Sequence, residues 1–126
     1  MSDLLNKQQV FDKVAAHLLA QKITSSKSHI VGGSCLYRGP NGTKCAVGCL
    51  IPDDLYEPSM EGKSVPGSGD FDMYLSTVGK VLTQIVEKDT FPLLAALQLL
   101  HDTIKPDNWD LELRKSAVKF NLKVNF

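Results

Sequence analysis

The chain has 126 residues, of which 43% are hydrophobic and 22% charged, and these values predict one globular domain over residues 1–126. Fourteen basic and fourteen acidic residues give a formal net charge of zero. Proteins that bind nucleic acid through its phosphates usually carry a basic excess, so direct nucleic-acid binding is not expected. No apolar run reaches the roughly 18 residues of a membrane span, and the first residues do not resemble a secretion signal. We therefore expect a cytoplasmic protein without a membrane partner.

A helix is predicted over residues 7–22. Asn6 and Gln9 have the spacing of a capping box, in which two side chains satisfy free backbone groups at a helix start. The apolar residues that follow recur at helical spacing on one face: Val10, Phe11, Val14, Ala15, Leu18 and Leu19.

A β-hairpin is predicted over residues 34–48. Two short apolar runs, at 35–37 and 46–47, flank a turn in which Pro40, Asn41 and Gly42 favour chain reversal. Apolar and polar side chains alternate over residues 120–126, which indicates a strand beside the hairpin.

Between the hairpin and the later helices, residues 57–70 are rich in glycine and proline and lack apolar periodicity. We expect this segment to be the most mobile internal loop, because it has few apolar anchors.

Three further helices are predicted in the second half of the chain. The first carries an apolar stripe over residues 71–86, the second begins near Thr90 with Pro92 in its first turn, and the third begins near Asn108 after Pro106. Together with the hairpin, these elements predict an α+β fold, with about four helices packed on a small antiparallel β-hairpin sheet.

The three cysteines Cys35, Cys45 and Cys49 are an odd number, which suits a reducing compartment better than a disulfide framework. Zinc favours thiolate and imidazole ligands, but these cysteines lack the close pairs that zinc sites use. We predict buried structural thiols, no metal and no other cofactor.

Side chains suited to recognition are concentrated between residues 37 and 56. Arginine offers a planar fork of donors, and tyrosine offers an aromatic face and a hydroxyl group, so both are common where proteins bind partners. A purely structural role at solvated turns is the alternative interpretation. The candidate binding residues are Tyr37, Arg38, Lys44, Asp53, Asp54 and Tyr56, together with His101 on the leucine-rich helix.

Catalysis is the competing hypothesis for His101. A thiol enzyme needs a nucleophile, a base and a group that orients the base, and Cys45 or Cys49 with His101 would supply the first two. Asp102 follows His101 directly and lies about 100° away around a helix, so it is a poor orienting group. We therefore predict no catalytic residue, and a structural His101 whose partner is a backbone carbonyl or a side chain from residues 35–56.

The pattern as a whole resembles a family of small proteins from bacteria and their phages, over most of the chain from the first helix onward. The resemblance rests on Cys-x-Tyr-Arg at 35–38, Cys-Ala-Val-Gly at 45–48, Leu-Ile-Pro-Asp at 50–53, Tyr56, Glu61-Gly62, a leucine-rich helix ending in His101-Asp102, and a final helix with a tryptophan. It implies a cytosolic accessory protein of phage or prophage origin. No activity is established for that family, so no catalytic residue is carried over.

These observations favour a non-enzymatic protein that binds and inhibits a host protein, such as a defence factor. One alternative is an enzyme that depends on the cysteines and His101, or on a metal. Another is a protein that sequesters a nucleotide-derived signal by holding phosphate and base with Tyr37, Arg38 and Lys44. A stable complex with a host protein favours the inhibitor, and a nucleotide retained through purification favours the sequestering protein. Bound zinc, or activity lost when a cysteine is replaced, favours the enzyme.

Overall fold

The computed structural model describes residues 4–25, 36–61 and 77–126, and these segments consist of helices joined by tight turns. Four α-helices lie in this part of the chain: α1 over Lys7–Gln21, α2 over Thr77–Leu82, α3 over Phe91–Thr103 and α4 over Trp109–Lys119. Single 3-10 turns occupy Pro40–Gly42, Gly48–Leu50, Pro58–Met60, Lys88–Thr90 and Pro106–Asn108.

The first helix begins and ends close to the predicted positions. The Asn6 side chain accepts a hydrogen bond from the backbone N–H of Gln9 (2.9 Å), and the Gln9 side chain accepts one from the N–H of Asn6 (3.0 Å). The predicted capping box is therefore confirmed. Helix α1 ends where Lys22 adopts a left-handed backbone conformation, with φ of 59°.

The apolar face of α1 packs against α3, α4 and the turn at Gly48–Leu50. The stripes predicted for these three helices form the centre of the hydrophobic core, since most of their apolar members are almost fully removed from solvent and Leu19, Ile104 and Phe120 are partly buried against them. The largest fully buried side chains include Trp109, Phe11, Phe91, Leu18, Met60, Leu82, Leu94 and Leu113.

Helix α2 ends at Leu82, four residues before the predicted end, and residues 71–76 of the predicted helix lie outside the described residues. The chain turns after Leu82 so that Leu5 lies beside Val86 in an isolated parallel bridge. In that bridge the N–H of Leu5 donates to the carbonyl of Ile85 (2.9 Å), and the N–H of Glu87 donates to the carbonyl of Leu5 (3.0 Å).

The predicted α+β class is wrong, because the described residues contain helices and turns and no β-strand. Residues 34 and 35 of the predicted hairpin lie outside the described part. The reversal itself forms: the N–H of Gly39 donates to the carbonyl of Thr43 (2.8 Å), and that of Thr43 donates to the carbonyl of Pro40 (3.2 Å). No strand pair continues from this turn over residues 36–38 and 44–47.

The hairpin fails because side chains take the backbone groups that a ladder would use. The N–H groups of Tyr37 and Arg38 donate to the carboxylate of Glu61. The N–H of Lys44 donates to Gln21 Oε1 (2.8 Å), and Gln21 Nε2 donates to the carbonyl of Lys44 (2.9 Å).

The segment 120–126 is not a strand either, for the same reason. The N–H of Lys123 donates to Gln8 Oε1 (2.8 Å), and Gln8 Nε2 donates to the carbonyl of Lys123 (3.0 Å). Gln8 and Gln21 thus each bond both backbone groups of one distant lysine. We call these two pairs the glutamine clamps.

Within the described ranges, no helix is long and apolar enough to cross a membrane. Of the predicted mobile loop at 57–70, residues 62–70 lie outside the described part. Its first residues form the turn Pro58–Met60, and Met60 is completely buried.

Candidate functional site

The carboxylate of Glu61 brings together two segments that carry predicted site residues. Its Oε1 accepts a hydrogen bond from the N–H of Tyr37 (2.9 Å), and its Oε2 accepts from the N–H of Arg38 (3.1 Å) and from the hydroxyl of Tyr56 (2.7 Å). Asp53 joins through Arg38. We call Tyr37, Arg38, Asp53, Tyr56 and Glu61 the Arg38–Glu61 cluster.

The guanidinium group of Arg38 is held on three sides. Its centre lies 4.7 Å from the centroid of the Tyr56 ring, a cation–π contact. Nη2 donates to the carbonyl of Ile51 (2.9 Å) and Nη1 donates to Asp53 Oδ1 (2.5 Å). The hydrogen bond and charge of Arg38 lower the pKa of Asp53. These contacts hold Ile51 and Asp53 in place, where the exposed segment 52–59 begins.

Tyr56 is kept protonated in this cluster. Burial, followed by its hydrogen bond to Glu61, raises the pKa of Tyr56 to about 12. The phenol therefore donates to Glu61 throughout the neutral pH range, and this hydrogen bond holds Tyr56 in place.

Residues 52–59, which we call the 52–59 loop, are held at Asp53 by Arg38 and at Tyr56 by Glu61. Pro52, Asp53, Asp54 and residues 57–59 are exposed. The loop is braced internally, since the N–H groups of Leu55 and Tyr56 both donate to the carbonyl of Pro52 (3.0 and 3.1 Å). It therefore presents its carboxylates in a defined arrangement.

The structure places the remaining predicted site residues differently. Tyr37 is only 3% exposed, so its ring belongs to the core and offers no face to a ligand. Asp54 is exposed beside Asp53 on the 52–59 loop. Lys44 lies against α1 through its glutamine clamp, and its side chain lines a cleft described below.

His101 is fully buried, and its ring stacks on that of Trp109 with 5.6 Å between centroids. Its Nε2 accepts a hydrogen bond from the backbone N–H of Ser25 (3.0 Å). Because a backbone N–H can only donate, the ring proton lies on Nδ1, which donates to Asp102 Oδ1 at 2.9 Å. Asp102 also accepts a hydrogen bond from Gln98 (2.9 Å), so its carboxylate is oriented toward the ring.

Two details of the sequence-based prediction for His101 are wrong. Asp102 does contact the ring, since its side-chain torsions bring the carboxylate back across the angle between neighbouring helical positions. The second ring nitrogen bonds Ser25 and not one of the described residues 36–56. His101 is linked to the predicted hairpin region only through Ser25. The N–H of Leu36 donates to the carbonyl of Ser25 (2.9 Å), and the hydroxyl of Ser25 donates to the carbonyl of Leu36 (2.7 Å).

The described cysteines are both engaged inside the fold. Cys45 is completely buried, and its sulfur accepts a hydrogen bond from the N–H of Gly48 (3.3 Å). Cys49 donates to the carbonyl of Ala46 (3.1 Å), and burial raises its pKa to about 12. Cys35 lies outside the described residues. Among the residues that the structure describes, no three His, Cys, Asp or Glu side chains are grouped to hold a metal ion.

A cleft of about 420 Å³ lies between α1 and the chain that follows the Pro40–Gly42 turn. Its lining residues are Lys13, His17, Gly42, Lys44 and Cys49. A second cleft of about 440 Å³ shares His17 and Gly42 with it and extends toward Ile23. Lys13 and His17 are not among the residues predicted from the sequence, although their spacing of four residues places them on one face of α1.

Glu61 was also missed as a site residue, because only the Glu-Gly pair of the family resemblance drew attention to it. Comparison of the chain with protein-family models, curated proteins and solved structures found no match.

Proposed function

We propose that this chain is a non-enzymatic, cytoplasmic binding protein whose partner is another protein, engaged through the 52–59 loop. The observation that supports this is the anchoring of an exposed loop at Asp53 and at Tyr56, through exposed and half-buried contacts. Arg38 holds the loop at Asp53 and at the preceding Ile51, and Glu61 holds it at Tyr56.

Such anchoring favours binding because ordering a loop upon association costs free energy. Here prolines at 52 and 58, the internal turn and the Arg38–Glu61 cluster order the loop before any partner arrives. A protruding surface fits a protein partner better than a small molecule, since small-molecule sites are concave. The two clefts described above are lined by other residues.

The charge of the loop specifies the partner's surface. Asp53, Asp54 and Glu57 are exposed, and residues 52–59 contain no basic residue. The charge of Arg38 is paired with Asp53 beside the ring of Tyr56, so Asp54 and Glu57 give the loop its net negative charge. The complementary surface on the partner is therefore basic, and opposite charges of this kind accelerate association and fix the docking orientation. If the partner uses this basic surface for its own function, covering the surface inhibits the partner. Such inhibition is the effect proposed for this chain on a host factor.

Contacts elsewhere favour this proposal over the two alternatives. The nitrogens of His101 face Ser25 and Asp102 within the core, and the Cys49 thiol is held protonated, whereas a thiol enzyme needs a thiolate and an available base. The ring of Tyr37 is buried and the guanidinium of Arg38 is engaged, so these two side chains are not arranged around a nucleotide.

Affinity capture from a bacterial lysate, followed by mass spectrometry, tests the proposal. The bait is compared with Asp54→Lys, which reverses a charge on the loop, and with Asp107→Lys, the same change at an exposed position in the Pro106–Asn108 turn. We expect one protein to be captured in stoichiometric amounts by the unaltered chain and by Asp107→Lys, with at least a tenfold loss for Asp54→Lys.

A protein retained equally by all three baits would contradict the loop as the contact surface. If no protein is captured by the unaltered chain in amounts comparable with the bait, the proposed binding function is wrong.

A further inference from the structure

The cleft of about 420 Å³ carries two lysines, a histidine and a thiol, and its lining contains no acidic side chain. Lys13 and His17 lie one turn apart on α1, so their side chains share a face. Lys44 approaches from the opposite wall. The 52–59 loop does not contribute to this cleft, so the inference that follows is independent of the function proposed above.

The wall that carries Lys44 is held firmly against α1. Gln21 bonds both the N–H and the carbonyl of Lys44 (2.8 and 2.9 Å), and His17 Nε2 donates to the same carbonyl (2.8 Å). Three side-chain hydrogen bonds therefore fix one residue's backbone. The stem of the Lys44 side chain begins from a defined position at the edge of the cleft.

The positive charges of the cleft are not neutralised within the described part of the chain. Neither Lys13 nor Lys44 has an ion-pair or hydrogen-bond partner for its ammonium group there. Burial raises the pKa of the Cys49 thiol, and both ammonium charges lower it by less. Burial has the larger lowering effect on the pKa of His17, and the charge of Lys44 also lowers it. The charges thus converge on one space.

The remaining lining favours an anion as well. Burial keeps the Cys49 thiol protonated, so no thiolate opposes a negative ligand. Gly42 has a φ of 76°, and a Cβ built there would meet nothing within 4 Å, so the mouth of the cleft is open. The one carboxylate next to Lys13 in sequence, Asp12, is bonded to Gln8 and Asn125 instead.

We propose that this cleft binds the phosphate group of a small phosphorylated ligand through Lys13, Lys44 and His17. Two ammonium groups supply charge-assisted hydrogen bonds to phosphate oxygens. His17 donates its Nε2–H to the wall, which leaves Nδ1 of the neutral ring to accept a hydrogen bond from a protonated phosphate oxygen. A cleft of this volume lies within the range of small-molecule sites, and its continuation toward Ile23 gives room for the rest of the ligand.

Isothermal titration calorimetry on the full chain tests this with three probes: inorganic phosphate, ribose 5-phosphate and adenosine diphosphate. We expect one-to-one binding of at least one probe, with affinity falling about tenfold or more in Lys13→Met and in Lys44→Met. Lys105→Met removes the same charge at an exposed position outside the cleft and should leave the affinity within about twofold. The NMR signals of the His17 ring should shift on addition of the same probe.

The three probes distinguish the source of the phosphate. Adenosine diphosphate binding more tightly than the other two identifies a nucleotide ligand, tighter ribose 5-phosphate identifies a sugar phosphate, and equal affinities identify a simple phosphate site. The proposal is overturned if no probe binds at millimolar concentration. It is also overturned if Lys105→Met weakens binding as much as the two cleft variants, since that indicates attraction to total charge alone.

Discussion

Two sets of hydrogen-bonded polar side chains, one around His101 and one in the Arg38–Glu61 cluster, differ chiefly in their exposure to solvent. His101 bonds Ser25 and Asp102 from a fully buried position beside Trp109. The Arg38–Glu61 cluster makes five hydrogen bonds among the described residues, at half-buried and exposed positions beneath the 52–59 loop. A polar group left unpaired in the core costs more than one that water can reach. We infer that His101 serves the stability of the whole fold and that the cluster serves the local shape of a binding surface.

We expect the largest loss of stability from His101→Ala. The change leaves the N–H of Ser25 without an acceptor and opens a cavity against Trp109, so the free energy of unfolding should fall by about 2–4 kcal/mol. Urea unfolding followed by circular dichroism measures it. Leu99→Ala, on the exposed face of the same helix, is the control and should have little effect.

Partner binding by the folded fraction of His101→Ala should survive, because the ring does not reach the 52–59 loop. An unchanged unfolding midpoint together with lost binding would instead place His101 in the functional surface, and the contrast between the two groups would disappear.

A smaller effect is expected for Glu61→Gln. The amide retains the shape of the side chain but removes the charge and one of the two acceptor oxygens, so the N–H of Tyr37 or of Arg38 loses its acceptor, which should cost about 1–2 kcal/mol. Glu57→Gln, at an exposed position on the loop, should cost much less. Urea midpoints together with amide hydrogen exchange over residues 52–59 measure both variants.

We expect faster exchange of the loop in Glu61→Gln than in Glu57→Gln. Equal exchange in the two variants would mean that the cluster does not order the loop.

The smallest effect is the pH dependence contributed by Tyr56. Its folded pKa of about 12 lies above the ordinary value of 10.0, so this contribution to stability is complete below pH 10 and is lost as the pH rises toward 12. Because Tyr56 is only half buried, solvent screening keeps the loss to about 1 kcal/mol or less. Urea midpoints from pH 9 to about 11 should decline more steeply for the unaltered chain than for Tyr56→Phe. Parallel declines would show that the phenol is not perturbed by folding.

The helices could be predicted from sequence because their signals are local. The Asn6–Gln9 box, the leucine stripe of α3 and the position of Pro92 are all contained within a few turns of chain. The sheet was predicted wrongly because a strand needs a partner for its backbone groups, and short apolar runs do not reveal where that partner lies. Gln21 and Glu61, which lie far from the turn in sequence, took those groups instead.

The site was predicted in part for a similar reason. Arg38, Asp53 and Tyr56 are candidate binding residues by their residue types, and the structure brings them together. Alternation alone does not decide which neighbouring side chain turns into the core, and the structure places Tyr37 there. Lys13 lines the cleft of about 420 Å³, and no local pattern beyond its position on α1 indicates this. Lys44 is brought to the same cleft by its clamp with Gln21, which lies 23 residues away in the sequence.

The glutamine clamps also carry a consequence for the order in which the chain folds. Neither clamp can form until α1 presents its amides, and the two differ greatly in the length of chain they close: 23 residues to Lys44 and 115 residues to Lys123. The entropic cost of closing a loop grows with its length, and contacts between distant residues form late. We therefore expect α1 to nucleate folding, the segment around Lys44 to join it early, and residues 120–126 to dock in the final step.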